Sequence, residues 1–204
     1  SSYAALARGG LFIPAKYFAN DINPKGGRVY SEEASYILTD MLSDPSARNI
    51  TFGDFFNQKL PFKVALKTGT STSYRDGWIV GYTPQHTIAI WAGNFNGQPT
   101  AGMSGAQATA PILIDILNEL YPNGFSSPFP KPEGVVSSEV CSYSGMKPNK
   151  FCPHIKRELF INGMEPEEIC NYHNSSGGMH NLPPQFATWL HGCLLYTSPS
   201  PRDG

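Results

Sequence analysis

With 204 residues, 40% of them hydrophobic and 15% charged, the chain has the composition of a folded protein of one or two domains. Its formal net charge is −1 and its fifteen Lys and Arg residues are scattered, which argues against nucleic acid or any other polyanion as partner. No run approaches the roughly 20 apolar residues of a membrane span, and residues 1–20 lack the basic-then-apolar order of a signal peptide.

In chain order, Ser2–Arg8 reads as the last turns of a helix closed by Gly9 and Gly10, so the chain is expected to begin inside a domain. Ser31 can cap a helix whose apolar positions Ala34, Ile37, Leu38, Met41 and Leu42 share one face and which stops before Pro45. Three β-rich runs follow: Phe62–Ser71, Gly77–Tyr82 and Thr87–Gly93. The link Thr83-Pro84-Gln85-His86 suits a tight turn, which predicts an antiparallel hairpin and, overall, a three-stranded meander. A second helix is predicted from about Thr109, with Pro111 in its first turn and a stripe of Ile112, Leu113, Ile116, Leu117 and Leu120.

After Tyr121, Pro122, Pro128, Pro130, Pro132, Pro148, Pro153 and Pro166 work against long regular elements and set a boundary near residue 122. The expected fold class is α+β, an antiparallel sheet flanked by helices, over residues 1–122. A loop-rich, cysteine-containing extension follows over 123–174, then a linker and tail over 175–204. Within that tail Ser175–Gly178 reads as linker, Leu182–Leu190 as the lead into a further domain, and Cys193–Gly204 resembles a translated sequencing adapter. Residues after about 174 are expected to be poorly ordered.

The segment that carries chemistry is Lys67-Thr68-Gly69-Thr70-Ser71 at the end of the first strand, followed by Arg75-Asp76-Gly77-Trp78 at the start of the second. A lysine beside two hydroxyls and a glycine can place a fixed positive charge, short donors and an unobstructed backbone edge around an anionic peptide. A Cβ at Gly69 would hold a peptide backbone away from that edge, and strand addition needs the edge reachable. Alternation puts Lys67 on the opposite face from Thr68 and Thr70, so a ligand has to lie along the edge. Elsewhere the plain readings prevail. Trp78, Trp91 and Tyr82 read as sheet packing, His86 as a turn residue, and Asp40 and Asp44 as solvated or capping groups; His180 and His191 need no role.

K-T-G is one of three motifs shared by penicillin-binding proteins and serine β-lactamases. The blocks YAALARGG, SEEASYILTDMLSDPSAR and FKVALKTGTSTSYRDGWIVGYTPQHTIAIWAGN resemble, in order and spacing, the transpeptidase domain of class A penicillin-binding proteins, most of all the 1C type. The likeness covers roughly residues 2–122 and runs on more loosely to about His173. It implies a serine acyltransferase that crosslinks D-alanyl-D-alanine stem peptides, is acylated by β-lactams, and works on the outer face of the bacterial inner membrane. The parent would carry an N-terminal anchor, its only membrane contact, and a glycosyltransferase domain. In such a site Lys67, Thr68 and Thr70 bind the substrate carboxylate, Gly69 and Ser71 line the strand, and the Thr70 N–H is one oxyanion donor. Asp76 and Trp78 match the family's R-D-x-W and support the strand connection. The family's S-x-x-K and S-x-N do not precede Lys67, so this chain is expected to be inactive alone. Ser144-Gly145-Met146-Lys147 falls in the wrong order, and its glycine and nearby proline argue against a helical turn. Rival readings are a β-lactamase or D,D-carboxypeptidase, and a scaffold module without catalysis.

Cys141, Cys152 and Cys170, with His154 and His173 nearby, give the spacing C-x10-C-x17-C-x2-H. If the domain is exported like its family, Cys141 and Cys152 form a disulfide and Cys170 is left over. The alternative is a structural zinc held by Cys141, Cys152, Cys170 and His173. No other cofactor is expected.

Overall fold

The computed structural model describes residues 2–18, 20–22, 24–46, 60–100, 104–124, 126–175 and 186. Most of the expected tail, including Leu182–Pro184, His180, His191 and the Cys193–Gly204 stretch, lies outside the described residues. The chain forms two compact units, Ser1–Val135 and Val136–Gly204.

Helix α1 (Ser2–Ala7) ends where Gly9 and Gly10 both take positive φ, and the Gly10 N–H returns to Ala5 O at 2.8 Å. A Cβ on Gly10 would sit 2.1 Å from Tyr30 O, so the close approach of the chain requires glycine there. Two short strands, β1 (Leu11–Phe12) and β2 (Gly27–Arg28), pair antiparallel and bring the chain back to α2 (Glu32–Ser43). Ser31 caps α2 as its sequence predicts, accepting the Ala34 N–H at 3.1 Å.

The face that α2 buries is not the apolar stripe. Ser35, Thr39 and Ser43 are the buried positions, whereas Ala34 and Leu38 are exposed and Met41 is 61% exposed. These small side chains let the helix lie close to the sheet, and their hydroxyls are satisfied: Ser35 Oγ donates to Ser31 O, Ser43 Oγ to Asp40 O, and Thr39 Oγ1 meets the Tyr82 hydroxyl at 3.0 Å. The hydroxyl register, spaced by four residues, overrides the hydrophobic one.

The meander is as expected. Strands β3 (Ala65–Thr70), β4 (Asp76–Tyr82) and β5 (Thr87–Gly93) lie in sequence order, antiparallel throughout. The Thr83 N–H closes the second turn on His86 O at 2.9 Å, and Tyr121 ties it from outside through Thr83 Oγ1 at 2.5 Å and His86 Nδ1 at 2.8 Å.

Helix α3 (Gly105–Leu120) starts four residues before the predicted Thr109. Ser104 and Gln107 form a capping box that fixes the true start, so Pro111 lies past the first turn. The buried face is correspondingly rotated: Ala106, Ala110, Leu113, Ile114 and Leu117 face inward, and the expected Ile112 and Leu120 are exposed. Ala110, Leu113, Ile114 and Leu117 meet Leu60, Val64, Leu66 and Ile79 in the one apolar cluster of this unit among the described residues. Each fully buried Leu or Ile there contributes about 1.5–3 kcal/mol. Residues 126–135 run back over the unit, with Phe129 edge-on to Tyr82.

The second unit carries two strands that the prolines obscured, β6 (Val135–Cys141, entered from the end of the first unit) and β7 (Ile155–Ile161), paired with each other. Turns and loops make up the rest of its described residues. The chain is thus α+β, with an antiparallel sheet flanked by helices and a loop-rich extension. No helix among the described residues is long and apolar enough to cross a membrane.

Candidate active-site strand and a cysteine–histidine cluster

Among the described residues β3 is an edge strand of its sheet, bonded to β4 on one side. Its register sets Lys67 opposite Val80, Thr68 opposite Ile79, Gly69 opposite Trp78 and Thr70 opposite Gly77. The Ser71 N–H donates to Asp76 O at 3.1 Å, which fixes the phase of the ladder. In an antiparallel pair the bonded positions alternate, so the N–H and C=O groups of Thr68 and Thr70 point away from β4, toward the free edge. The Lys67 ammonium reaches that same edge, donating to Thr68 O at 2.8 Å, and is exposed.

Gly69 is not demanded by the fold itself. A Cβ there would meet Trp78 Cβ at 3.7 Å, an ordinary contact. Trp78 is 47% exposed and pairs across the sheet with Trp91, so the face bearing Lys67 and Gly69 is open beside an aromatic wall. On the opposite face the fit is tight. A Cβ at Gly105 would lie 2.3 Å from Gly69 O, and one at Gly77 would lie 2.4 Å from Gly105 Cα. Two glycines therefore let the start of α3 rest directly on the strand, and the Gly105 N–H donates to Thr70 Oγ1 at 3.0 Å.

Sequence reasoning missed that bond, although the Ser104-x-x-Gln107 signature was there to find. It leaves the Thr70 hydroxyl proton free to donate, while its oxygen is held by the helix N-terminus. Ser71 turns inward: Ser71 Oγ accepts the Asp76 N–H at 2.9 Å and braces the turn that holds Ser73 and Tyr74 at positive φ. Asp76 thereby opens β4. Asp40 pairs with Lys63 at 3.3 Å and Asp44 accepts the Ser46 N–H at 2.8 Å. A cleft of about 440 Å³ lies instead between α1, α2 and Phe129–Pro132; its only charged walls are Arg8, Glu32 and Lys131.

In the second unit Cys141, Cys152, Cys170 and His173 converge, with their ligand atoms all within 4.8 Å of one another and all three thiols free. His173 Nδ1 lies 3.6 Å from Cys141 Sγ and 3.4 Å from Cys170 Sγ. Cys141 ends β6, whose turn brings the Gly145 N–H back to Cys141 O at 2.8 Å. Asn149, unremarked in the sequence, ties the rest together. Its backbone N–H donates to Cys152 Sγ at 3.3 Å, and its side-chain amide donates to Cys170 O at 2.6 Å and His173 O at 2.9 Å. His154 stands apart, its ring against Tyr143. Ser144–Lys147 forms a turn through Gly145 at positive φ, so Lys147 is not carried over Ser144 on a helix.

Burial pushes the Cys141 thiol up, but the N–H groups of Ser144 and Tyr143 and the Ser144 hydroxyl outweigh it and bring it to about 7. Burial pushes Cys152 up to about 11; the Asn149 N–H works against it, and the neighbouring Cys170 and Cys141 add to it.

Residues 131–175 match the family model of the penicillin-binding protein 1A C-terminal domain. The chain is 33% identical over 162 residues to penicillin-binding protein 1A of Clostridium perfringens, a match covering 74% of this chain and 19% of that protein. It is 31% identical over 110 residues to penicillin-binding protein 1C of Escherichia coli, covering 52% and 14%. The likeness to the 1C type is thus matched by a longer one to the 1A type. The crystal structure of penicillin-binding protein 1A from Haemophilus influenzae superposes with a TM-score of 0.59 over 73% of this chain and 23% of that one, at 19% identity, which speaks to the fold. The chain spans about a fifth of the length of the curated relatives it matches. By these sequence matches, the chain belongs to the class A penicillin-binding proteins.

Proposed function

We propose that β3 is the substrate-binding strand of a serine D,D-transpeptidase and that the chain is part of a bifunctional peptidoglycan synthase, with a glycosyltransferase domain elsewhere in the parent protein. The observation that carries this reading is the free edge at Thr68 and Thr70 with the Lys67 ammonium drawn to it. An extended stem peptide, or a β-lactam in its place, adds along that edge. Lys67 holds the terminal carboxylate by charge, and the Thr68 and Thr70 hydroxyls donate to it. The outward Thr70 N–H is one oxyanion donor, a type of group whose loss costs about 3–4 kcal/mol in kcat in a serine protease. Gly69 keeps the approach clear, Ser71 and Asp76 brace the turn, and Trp78 walls the open face. The working location is the outer face of the bacterial inner membrane.

Residues 1–122 form the transpeptidase portion in this reading, 123–174 the extension and 175–204 a linker and tail. The nucleophilic serine and its lysine base come from a part of the parent not represented in this sequence, so the chain by itself does not acylate.

Labelling with a fluorescent penicillin tests this. The parent protein takes up one covalent label per chain, and the 204-residue chain takes up none. Covalent labelling of the isolated chain, or an unlabelled parent that is folded and contains S-x-x-K, overturns the proposal. A β-lactamase or carboxypeptidase would release the acyl group to water; transfer to an added amine acceptor separates those activities.

A further inference from the structure

We propose that Cys141, Cys152, Cys170 and His173 hold one structural Zn2+ ion, with three thiolates and the His173 Nδ1 as its four ligands. In a tetrahedral site with Zn–S near 2.3 Å and Zn–N near 2.0–2.1 Å, the sulfur–nitrogen edges are about 3.6 Å. Two such edges, His173 Nδ1 to Cys141 Sγ and to Cys170 Sγ, are 3.6 and 3.4 Å, and all four ligand atoms fall within 4.8 Å.

Burial points the same way. Among the described residues of the second unit only Val140, Cys141, Cys170 and His173 are buried, so three of its four buried side chains belong to this cluster. A unit with so small an apolar core needs a covalent or metal staple. His173 is 5% exposed, and its Nε2 is buried without a hydrogen-bond partner, which costs about 1–3 kcal/mol. A metal bond at Nδ1 offsets that cost, whereas a Cys141–Cys152 disulfide would leave Cys170 and His173 only their mutual 3.4 Å contact.

The backbone is set for metal as well. The Asn149 N–H donates to Cys152 Sγ, and the Asn149 amide pins the carbonyls of the other two late ligands, so one residue positions three of the four. A cation among them is what lets all three sulfurs be thiolates at this spacing. Binding exchanges three thiol protons, released to solvent, for one Zn2+, leaving a site of net charge −1. With four protein ligands the coordination is complete, so the ion's role is structural.

The test uses the unaltered 204-residue chain without a histidine tag, purified under reducing conditions. Elemental analysis is expected to give one zinc per chain. X-ray absorption is expected to show three sulfurs near 2.3 Å and one nitrogen near 2.0–2.1 Å. Chelation under reductant should then raise amide exchange across 136–175. Asn149→Ala is expected to weaken zinc binding by roughly 10- to 100-fold while keeping the same ligand shell, the signature of a positioning residue. Less than about a tenth of an equivalent of zinc, a Cys141–Cys152 disulfide found by mass spectrometry, or a shell without sulfur would each overturn the proposal. The measurement on the unaltered chain decides even if ligand variants fail to fold.

Discussion

Replacing Gly105 with alanine should destabilise the first unit, although helix propensity alone says the opposite. Alanine inside a helix is favoured over glycine by about 1 kcal/mol. Here the new Cβ would stand 2.3 Å from Gly69 O and 3.1 Å from Thr70 Oγ1, and the nearer atom is backbone of the edge strand that cannot swing aside. Overpacking of this kind costs about 1–3 kcal/mol, and pushing α3 off the strand also strains the Gly105 N–H bond to Thr70 Oγ1, worth about 0.5–1.5 kcal/mol. The net expectation is a loss of about 0.5–3.5 kcal/mol after the propensity gain is subtracted. Urea unfolding followed by tryptophan fluorescence is the assay, since Trp78 and Trp91 both sit in this sheet. Gly27→Ala, whose Cβ meets nothing within 4 Å, is the control and should shift stability by less than about 0.5 kcal/mol. An unchanged or raised midpoint for Gly105→Ala would show that α3 does not rest on the strand and would remove the stated reason for the placement of Thr70.

Leu113→Ala, at a fully buried position in the α3 cluster, should cost about 2–5 kcal/mol in the same urea assay. Burial raises the Tyr82 phenol above its ordinary 10.0, with the hydrogen bond to Thr39 acting against it. The folded state then keeps that proton more tightly than the unfolded state, so stability should fall as the pH climbs past 10, and Tyr82→Phe should flatten the fall in alkaline thermal melts. Tyr121→Phe should loosen the Thr83–His86 turn by about 1 kcal/mol, read as faster amide exchange at Thr83.

The meander was legible because alternation, turn chemistry and β-branched content agreed over Ala65–Gly93, and the K-T-G strand came with it. Helix faces were less so. In α2 the eye goes to Ile37, Leu38 and Met41, yet Ser35, Thr39 and Ser43 are what fit beneath the sheet, because close approach favours small side chains whose hydroxyls bond locally or to Tyr82. In α3 the proline at 111 drew the predicted start too late, against the capping box at Ser104. The cluster around His173 was legible as a set of ligand types, but its convergence depends on Asn149 bridging loops 21 and 24 residues away, which spacing does not reveal.

The central claim is that the ammonium at position 67 grips the carboxylate of an extended peptide laid along the β3 edge. The most direct measurement is the second-order rate constant for acylation of the intact parent by penicillin, compared between the unaltered protein and Lys67→Ala. Loss of a charge-assisted hydrogen bond, about 1.5–3 kcal/mol, predicts a fall of roughly 10- to 100-fold with the fold retained. An acylation rate that survives the substitution unchanged would contradict the account.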